Sequence, residues 1–167
     1  PDAALIISDL SPTVVIEWKR FLDKELASPN INYAVFNFCD IPFADNSIDV
    51  VLDGGGIGNT EDGDKGTALK EVYRVLKPDG LLVTSTGFVT KETFASLPQN
   101  VQAVLKDKRP GIFADLYEET ILAGFKKIDS EICGGWDTDG DESTIADLAR
   151  SLGVNLHFTS YVRYCIK

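Results

Sequence analysis

The sequence contains few of the residues that carry metal, disulfide or triad chemistry. Its three cysteines are an odd number and form no Cys-x-x-Cys pair, so a disulfide framework is not expected and a reducing compartment is favoured. Its single histidine, His157, falls in an apolar stretch with no nucleophile motif nearby. Neither triad hydrolysis nor a zinc site is therefore predicted.

Positive charge and long apolar runs are also scarce. The net charge is −10 and the pI is near 4.5, which disfavours nucleic acids and anionic membrane surfaces as partners. No apolar run approaches the length of a membrane span, and no leader-like segment precedes the first apolar run. These features predict a cytoplasmic protein.

Methionine is absent, and the chain opens almost at once on a strand-like run. Two interpretations stay open for this start. The sequence is an incomplete record of the natural protein, or an initiator Met has been removed before Pro1.

The first half of the chain alternates between strand and helix patterns. Its 167 residues, of which 44% are apolar, predict one domain over residues 1–167. Strands are expected over 4–9, 33–38, 48–53 and 81–86, with helices beginning after Ser11 and over 65–76. Helices of such length between strands predict an α/β fold with a mostly parallel sheet.

The second half is less regular. Short helices are predicted over 91–97 and 100–108, and another from Phe113 to Gly124. A strand over 125–136 with a bulge at Gly134 and Gly135, a helix over 143–152 and a strand over 156–166 follow. The last two strands are expected to form an antiparallel pair at the edge of the sheet.

Three predicted strands end in carboxylates: Asp9, Asp40 and Asp53. In open α/β sheets, ligands bind beyond the carboxyl ends of the strands, so these acids are the candidate binding residues. The glycine run after Asp53 lacks the Walker lysine and a clean Gly-x-Gly-x-x-Gly, which favours a tight turn over a phosphate loop. The acidic run 137–142 lacks the glycine and glutamate spacing of a calcium loop.

Three segments in series resemble one family. They are IISDLSP at 6–12, CDIPFADNSIDVVLDGG at 39–55 and ALKEVYRVLKPDGLLVTS at 68–85. Together they are similar to the Rossmann-like S-adenosylmethionine-dependent methyltransferases of type 11. The resemblance implies a three-layer α/β fold whose mostly parallel sheet has an antiparallel strand near the C-terminus.

The resemblance also implies a role for each acid. Asp9, with its neighbour Leu10, would bind the ribose hydroxyls of S-adenosylmethionine. Asp40 would accept from the adenine amine and the Ile41 N–H would donate to the adenine ring. The last pair, Asp53 and Gly54, would face the methyl-bearing sulfonium, where small residues let the acceptor approach.

The resemblance leaves the reaction and its acceptor open. The methyl acceptor would be a nitrogen, oxygen, sulfur or carbon atom of a small molecule or a protein. Proximity and orientation supply much of the rate of such a transfer, so no obligatory catalytic residue can be identified. Tyr117 and Asp53 are the candidates.

The family's first strand and glycine-rich loop have no counterpart here, so the domain is expected to be N-terminally incomplete. That strand would lie between the 4–9 and 48–53 strands. Either an N-terminal extension supplies it, or the two flanking strands pair directly. The alternatives to an active methyltransferase are an inactive structural or regulatory relative and an NAD-dependent oxidoreductase.

Overall fold

The computed structural model describes residues 4–25, 30–60, 64–113 and 115–167. The strands are β1 (Leu5–Asp9), β2 (Ile31–Val35), β3 (Ile48–Asp53), β4 (Leu76–Phe88), β5 (Lys127–Asp137) and β6 (His157–Ile166). The helices are α1 (Pro12–Glu25), α2 (Lys65–Val75), α3 (Lys91–Ala95), α4 (Gln99–Lys108), α5 (Tyr117–Ala123) and α6 (Thr144–Ser151), with a 3-10 turn at Pro110–Phe113. This alternation confirms the predicted α/β class.

Strands β1 and β2 form a two-stranded parallel sheet on which α1 packs. Pro12 is the first residue of α1, as predicted, because proline's fixed φ and missing N–H suit that position. The predicted bounds of β2 were wrong, since it ends at Val35 rather than continuing to residue 38. Phe36 and Phe38 leave the strand and pack edge-to-face at 6.3 Å between ring centroids, against the main core.

The other four strands form a second sheet in the order β3-β4-β6-β5. β3 and β4 are parallel, whereas β6 is antiparallel to both β4 and β5. The predicted antiparallel pair near the C-terminus is therefore confirmed. The predicted bulge is also present, as the β5–β6 register shifts between Ile132 and Gly134, where Gly134 has φ +129°.

Within the described residues, β1 and β3 are not hydrogen-bonded to each other. Of the two alternatives that the sequence left open, direct pairing of these strands is therefore not the one that the structure shows. β1 has β2 on one side only, and β3 has β4 on one side only. Each consequently presents one unpaired edge, a feature that folded proteins ordinarily cover.

Helix α2 builds the main core on one face of the second sheet. Its fully buried residues recur at helical spacing, and they are Ala68, Leu69, Val72 and Val75. The helix ends at Val75, one residue before the predicted end, because Leu76 is already extended with ψ 139°. The predicted turn over 77–80 lies inside β4 as a kink at Asp79, where φ is +63°.

A second, smaller cluster of buried residues lies around α4, α6 and the start of β6. It contains Val89, Val101, Leu105, Ala149, Leu156 and Phe158, contributed largely by α4, α6 and β6. The helix predicted from Phe113 begins only at Tyr117 because Leu116, with φ +62°, interrupts helical geometry at its N-cap. It ends as predicted at Gly124, which has φ +114°.

Candidate functional site

Asp9 is the last residue of β1, and the backbone turns directly from it into α1. Its Oδ1 accepts a hydrogen bond of 2.7 Å from the Ser11 N–H at the start of the helix. In the part of the chain that the structure describes, its second carboxylate oxygen has no protein donor. The carboxylate is therefore oriented by one bond and free to accept others. Leu10 beside it is 68% exposed.

Asp40 and Ile41 lie on the loop that follows β2. Asp40 is exposed, its N–H bonds to the Asn37 carbonyl at 3.0 Å, and its carboxylate has no donor among the described residues. Ile41 differs, because its side chain is buried in the main core and its N–H donates to Glu71 Oε2 at 3.1 Å. A ligand that used this N–H would have to share it with Glu71 or displace Glu71.

Asp53 ends β3 and is buried, with 6% of its surface exposed. Its Oδ1 accepts from the N–H groups of Gly55, Gly56 and Ile57 at 3.2, 2.7 and 3.3 Å. Its Oδ2 accepts from the Thr84 hydroxyl at 2.6 Å. Three backbone donors thus converge on Oδ1 and one hydroxyl bonds Oδ2, so Asp53 holds the glycine turn onto β4.

Gly54 lies on the outer side of the same turn. A Cβ placed on Gly54 would meet no atom within 4 Å, so the space in front of this residue is open. Gly56 is tightly confined by contrast, because a Cβ there would lie 2.8 Å from the Phe38 ring and 3.2 Å from Asp53 Oδ1. The glycine run thus combines one open position with one close contact.

A series of contacts joins the three strand ends. The Asp9 carbonyl accepts from the Phe36 N–H at 3.4 Å, which brings the ends of β1 and β2 together. Phe38, two residues later, packs against Gly56 in the turn held by Asp53. The three predicted acids therefore lie on loops that share one edge of the molecule, although only Asp9 and Asp40 present carboxylate oxygens without protein donors among the described residues.

Tyr117, the first residue of α5, lies over the same part of the second sheet. In the strand register, Asp53 of β3 lies opposite Thr84 of β4, and Thr84 lies opposite Arg163 of β6. The three residues therefore form one row across the sheet. The Arg163 guanidinium is buried, donates to Ser130 Oγ at 2.9 Å and to the Asp115 carbonyl, and lies 5.6 Å from the Tyr117 ring centroid. Tyr117 itself is partly exposed, and its catalytic role stays a prediction.

Two features near the site escaped the sequence analysis. The Thr84 hydroxyl faces Asp53 only because of the β3–β4 register, which no local pattern reveals. Glu71 and Arg74 of α2 bond to the backbone of the 41–45 loop. Their spacing of three residues on a helix predicts an ion pair between them, but it does not predict the contact with this loop. The hydrogen bond from Arg74, assisted by the one from Ile41, lowers the pKa of Glu71 below its ordinary value.

No group of three or more His, Cys, Asp or Glu side chains is placed to hold a metal ion within the described ranges. Over those ranges no helix has the length and apolar content needed to cross a bilayer.

Comparisons with known proteins show what the chain is similar to in sequence and in fold. Residues 3–84, just under half of the chain, match the family model described as a methyltransferase domain. The ubiquinone/menaquinone biosynthesis C-methyltransferase UbiE of Dinoroseobacter shibae is 37% identical over 84 residues, which are 50% of this chain and 32% of that protein. The chain thus spans about a third of the length of such curated relatives.

Solved structures extend the likeness to nearly the whole chain. A candidate methyltransferase from Bacillus halodurans C-125 superposes with a TM-score of 0.72 at 14% identity, covering 99% of this chain and 83% of that one. Phosphoethanolamine N-methyltransferase 2 of Haemonchus contortus, in complex with S-adenosyl-L-methionine, gives 0.67 at 19% identity, covering 97% and 43%. The chain therefore resembles the Rossmann-like S-adenosylmethionine-dependent methyltransferases in sequence over its first half and in fold over nearly its whole length.

Proposed function

We propose that this chain forms the S-adenosylmethionine-binding and methyl-transferring part of a methyltransferase. The observation that carries the proposal is the shared edge where β1 and β2 end. There Asp9 and Asp40 present carboxylate oxygens that have no protein donors among the described residues. A ribose offers two hydroxyl donors and an adenine one amine, and carboxylates are the acceptors suited to both.

Asp9 binds the ribose in this proposal. The Ser11 N–H fixes one oxygen, which sets the plane of the carboxylate before the ligand arrives. Leu10 supports this assignment because it leaves an apolar side chain exposed next to the carboxylate, where the flat face of a nucleoside can cover it.

Asp40 and Ile41 recognise the base. The Asp40 carboxylate accepts from the exocyclic amine, and the Ile41 N–H donates to a ring nitrogen while Glu71 shares or releases it. The residues present therefore fit an adenosine.

Asp53 and Gly54 form the side that faces the transferred methyl group. When bound, S-adenosylmethionine supplies a methyl group activated by its sulfonium. Asp53 contributes a fixed negative charge close to that cation, since its four donors prevent it from moving. Gly54 would leave open the space that a methyl acceptor needs on this side of the site.

The proposed domain, residues 1–167, is completed by one further strand between β1 and β3. Its support is the pair of unpaired strand edges together with exposed apolar side chains beside them, including Leu5 on β1 and Val50 and Leu52 on β3. Leu52 is 73% exposed although it lies inside a strand. Covering such positions removes apolar surface from water.

The methyl acceptor is a small molecule or a protein. The curated relatives bear the names of ubiquinone and menaquinone biosynthesis C-methyltransferases, so an electron-rich ring carbon is the first acceptor class to test. That choice rests on the first half of the chain, which is the part that those relatives match.

Nitrogen-15 NMR titration with S-adenosylhomocysteine tests the cofactor assignment, because it also detects weak binding. We expect amide shifts concentrated at residues 9–11, 40–41 and 54–55. Asp9→Asn should abolish most of them, whereas Asp49→Asn, which changes an exposed strand carboxylate that forms an ion pair with Lys77, should not. Methyl transfer from the labelled cofactor to candidate acceptors follows as the activity measurement.

Other outcomes favour the alternatives. Shifts with NAD that exceed those with S-adenosylhomocysteine would favour the oxidoreductase. Absence of shifts with both ligands at millimolar concentration would refute the cofactor assignment and favour a structural or regulatory role.

A further inference from the structure

Arg74 of α2 joins that helix to the loop that carries Asp40 and Ile41. Its Nε and one Nη bond to the two carboxylate oxygens of Glu71, both at 2.8 Å. The same Nη donates to the Ile41 carbonyl at 2.8 Å, and the other Nη donates to the Phe43 carbonyl at 2.8 Å and to Asp45 at 2.7 Å. A guanidinium has five N–H groups, and this one has five acceptors.

Ile41 is consequently held through both of its backbone polar groups, the N–H and the carbonyl. Its carbonyl accepts from Arg74, and its N–H donates to Glu71, whose position Arg74 itself fixes. The segment from 36 to 47 contains neither helix nor strand, and its backbone bonds to α2 are made near its far end, where the Asn46 and Ser47 N–H groups donate to the Arg74 and Val75 carbonyls at 3.0 and 2.8 Å. Asp40, immediately before Ile41, thereby receives a defined backbone position while its carboxylate stays exposed.

The shape of arginine matters for this arrangement. Its planar fork reaches acceptors in several directions at once, whereas a lysine ammonium is a compact point charge with three donors. A lysine at position 74 could keep the charge and an ion pair with Glu71 but could not hold Ile41, Phe43 and Asp45 together.

We propose that Arg74 is the positioning residue for base recognition, an inference that rests on the proposed cofactor binding. Arg74 need not touch the ligand. It sets the distance between the Asp40 carboxylate and the Ile41 N–H, and this pair distinguishes adenine, which has an exocyclic amine, from hypoxanthine, which carries a carbonyl there. Loss of Arg74 therefore lowers the selectivity for adenine.

The test compares S-adenosylhomocysteine with S-inosylhomocysteine on the wild-type chain, on Arg74→Lys and on Asp40→Asn, with dissociation constants from NMR titration. We expect the wild type to prefer the adenosyl ligand by at least tenfold. Arg74→Lys should reduce that ratio to within about threefold of unity, as Asp40→Asn does, with little change in the affinity for the inosyl ligand. Arg150→Lys is the matched control because it alters another arginine–carboxylate pair three residues apart, Arg150–Asp147 on α6, and it should leave the ratio unchanged.

Hydrogen exchange of the ligand-free chain provides a second measurement. Arg74→Lys should raise the exchange rate of the Ile41 amide at least tenfold while amides in β4 keep their rates. The inference would be overturned if Arg74→Lys kept the wild-type ratio of the two dissociation constants. It would also be overturned if Arg74→Lys lost affinity equally for both ligands. If the wild type binds neither ligand, the proposed cofactor binding fails first, which is a distinguishable result.

Discussion

The hydrogen bond between Thr84 and Asp53 gives the sharpest test of how the glycine turn is held. Thr84→Val keeps the shape of the side chain but removes the hydroxyl that donates to Asp53 Oδ2 at 2.6 Å. Both residues are buried, so water cannot readily replace the lost donor. Removing a donor from a buried charged acceptor costs about 2 to 3 kcal/mol.

That cost should be visible in thermal unfolding. For a chain of this size, 1 kcal/mol corresponds to a change in Tm of about 2 to 4 °C, so we expect a decrease of roughly 4 to 12 °C. Thr84→Ser is the matched control because it keeps the hydroxyl and loses only a methyl group, at about 1 kcal/mol. Circular dichroism or calorimetry measures both variants.

A double-mutant cycle with Asp53→Ala isolates the interaction. Without the carboxylate, the Thr84 hydroxyl has lost its acceptor, so Thr84→Val should cost little in that background. The reasoning is refuted if Thr84→Val destabilises both backgrounds equally, or if Thr84→Ser is at least as harmful as Thr84→Val.

Three other perturbations test the pH dependence, the core and a close backbone contact. The Arg74 hydrogen bond lowers the pKa of Glu71 in the folded state. The free energy by which this carboxylate stabilises the fold is therefore fully present above the unfolded-state pKa of about 4.3, and it is lost as the pH falls through the folded-state pKa. Denaturant titrations should thus show Glu71→Gln less stable than wild type at pH 7, with the difference shrinking toward pH 3; a constant difference would contradict the assignment. Burial raises the pKa of the Cys165 thiol to about 11, so a thiol reagent at pH 8 should modify Cys133 quickly and Cys165 only after unfolding. Gly80→Ala places a Cβ 2.8 Å from one backbone carbonyl oxygen and 3.2 Å from another, so it should lower the free energy of unfolding by about 1 to 3 kcal/mol. Gly66→Ala is the control, since Gly66 lies in open space on α2, and it should be neutral or stabilising in the same assay.

The element order was predictable from the sequence because it depends on local patterns. The apolar runs that end in an acidic residue predicted β1 and β3, and the helical spacing of apolar residues predicted α2. The limits of β2 were not predictable in this way. Phe36 and Phe38 have strand propensity, yet their burial comes from contacts with residues far along the chain, and tertiary packing decided their conformation.

The chemistry of the three acids was less predictable than their positions. The sequence pattern of a carboxylate at a strand end is the same whether its side chain faces a ligand or accepts hydrogen bonds from its own loop. For Asp53, the three backbone N–H groups that follow it are a local signal for the second arrangement, whereas Thr84 enters only through strand pairing. The Ile41 N–H is a similar case, because its partner Glu71 lies 30 residues away.

These contacts divide the proposed site into a fixed part and an open part. The glycine turn and the Ile41 loop are held by hydrogen bonds within the protein, to Asp53 and from Arg74, so a ligand that binds there has little of these segments left to order. Asp9 belongs instead to β1, which among the described residues is paired on one edge only. A strand between β1 and β3 that supplied the missing pairing would stabilise β1, and with it Asp9, more than the loop held by Arg74. Adding such a strand should therefore change the affinity for the cofactor more than the selectivity for adenine.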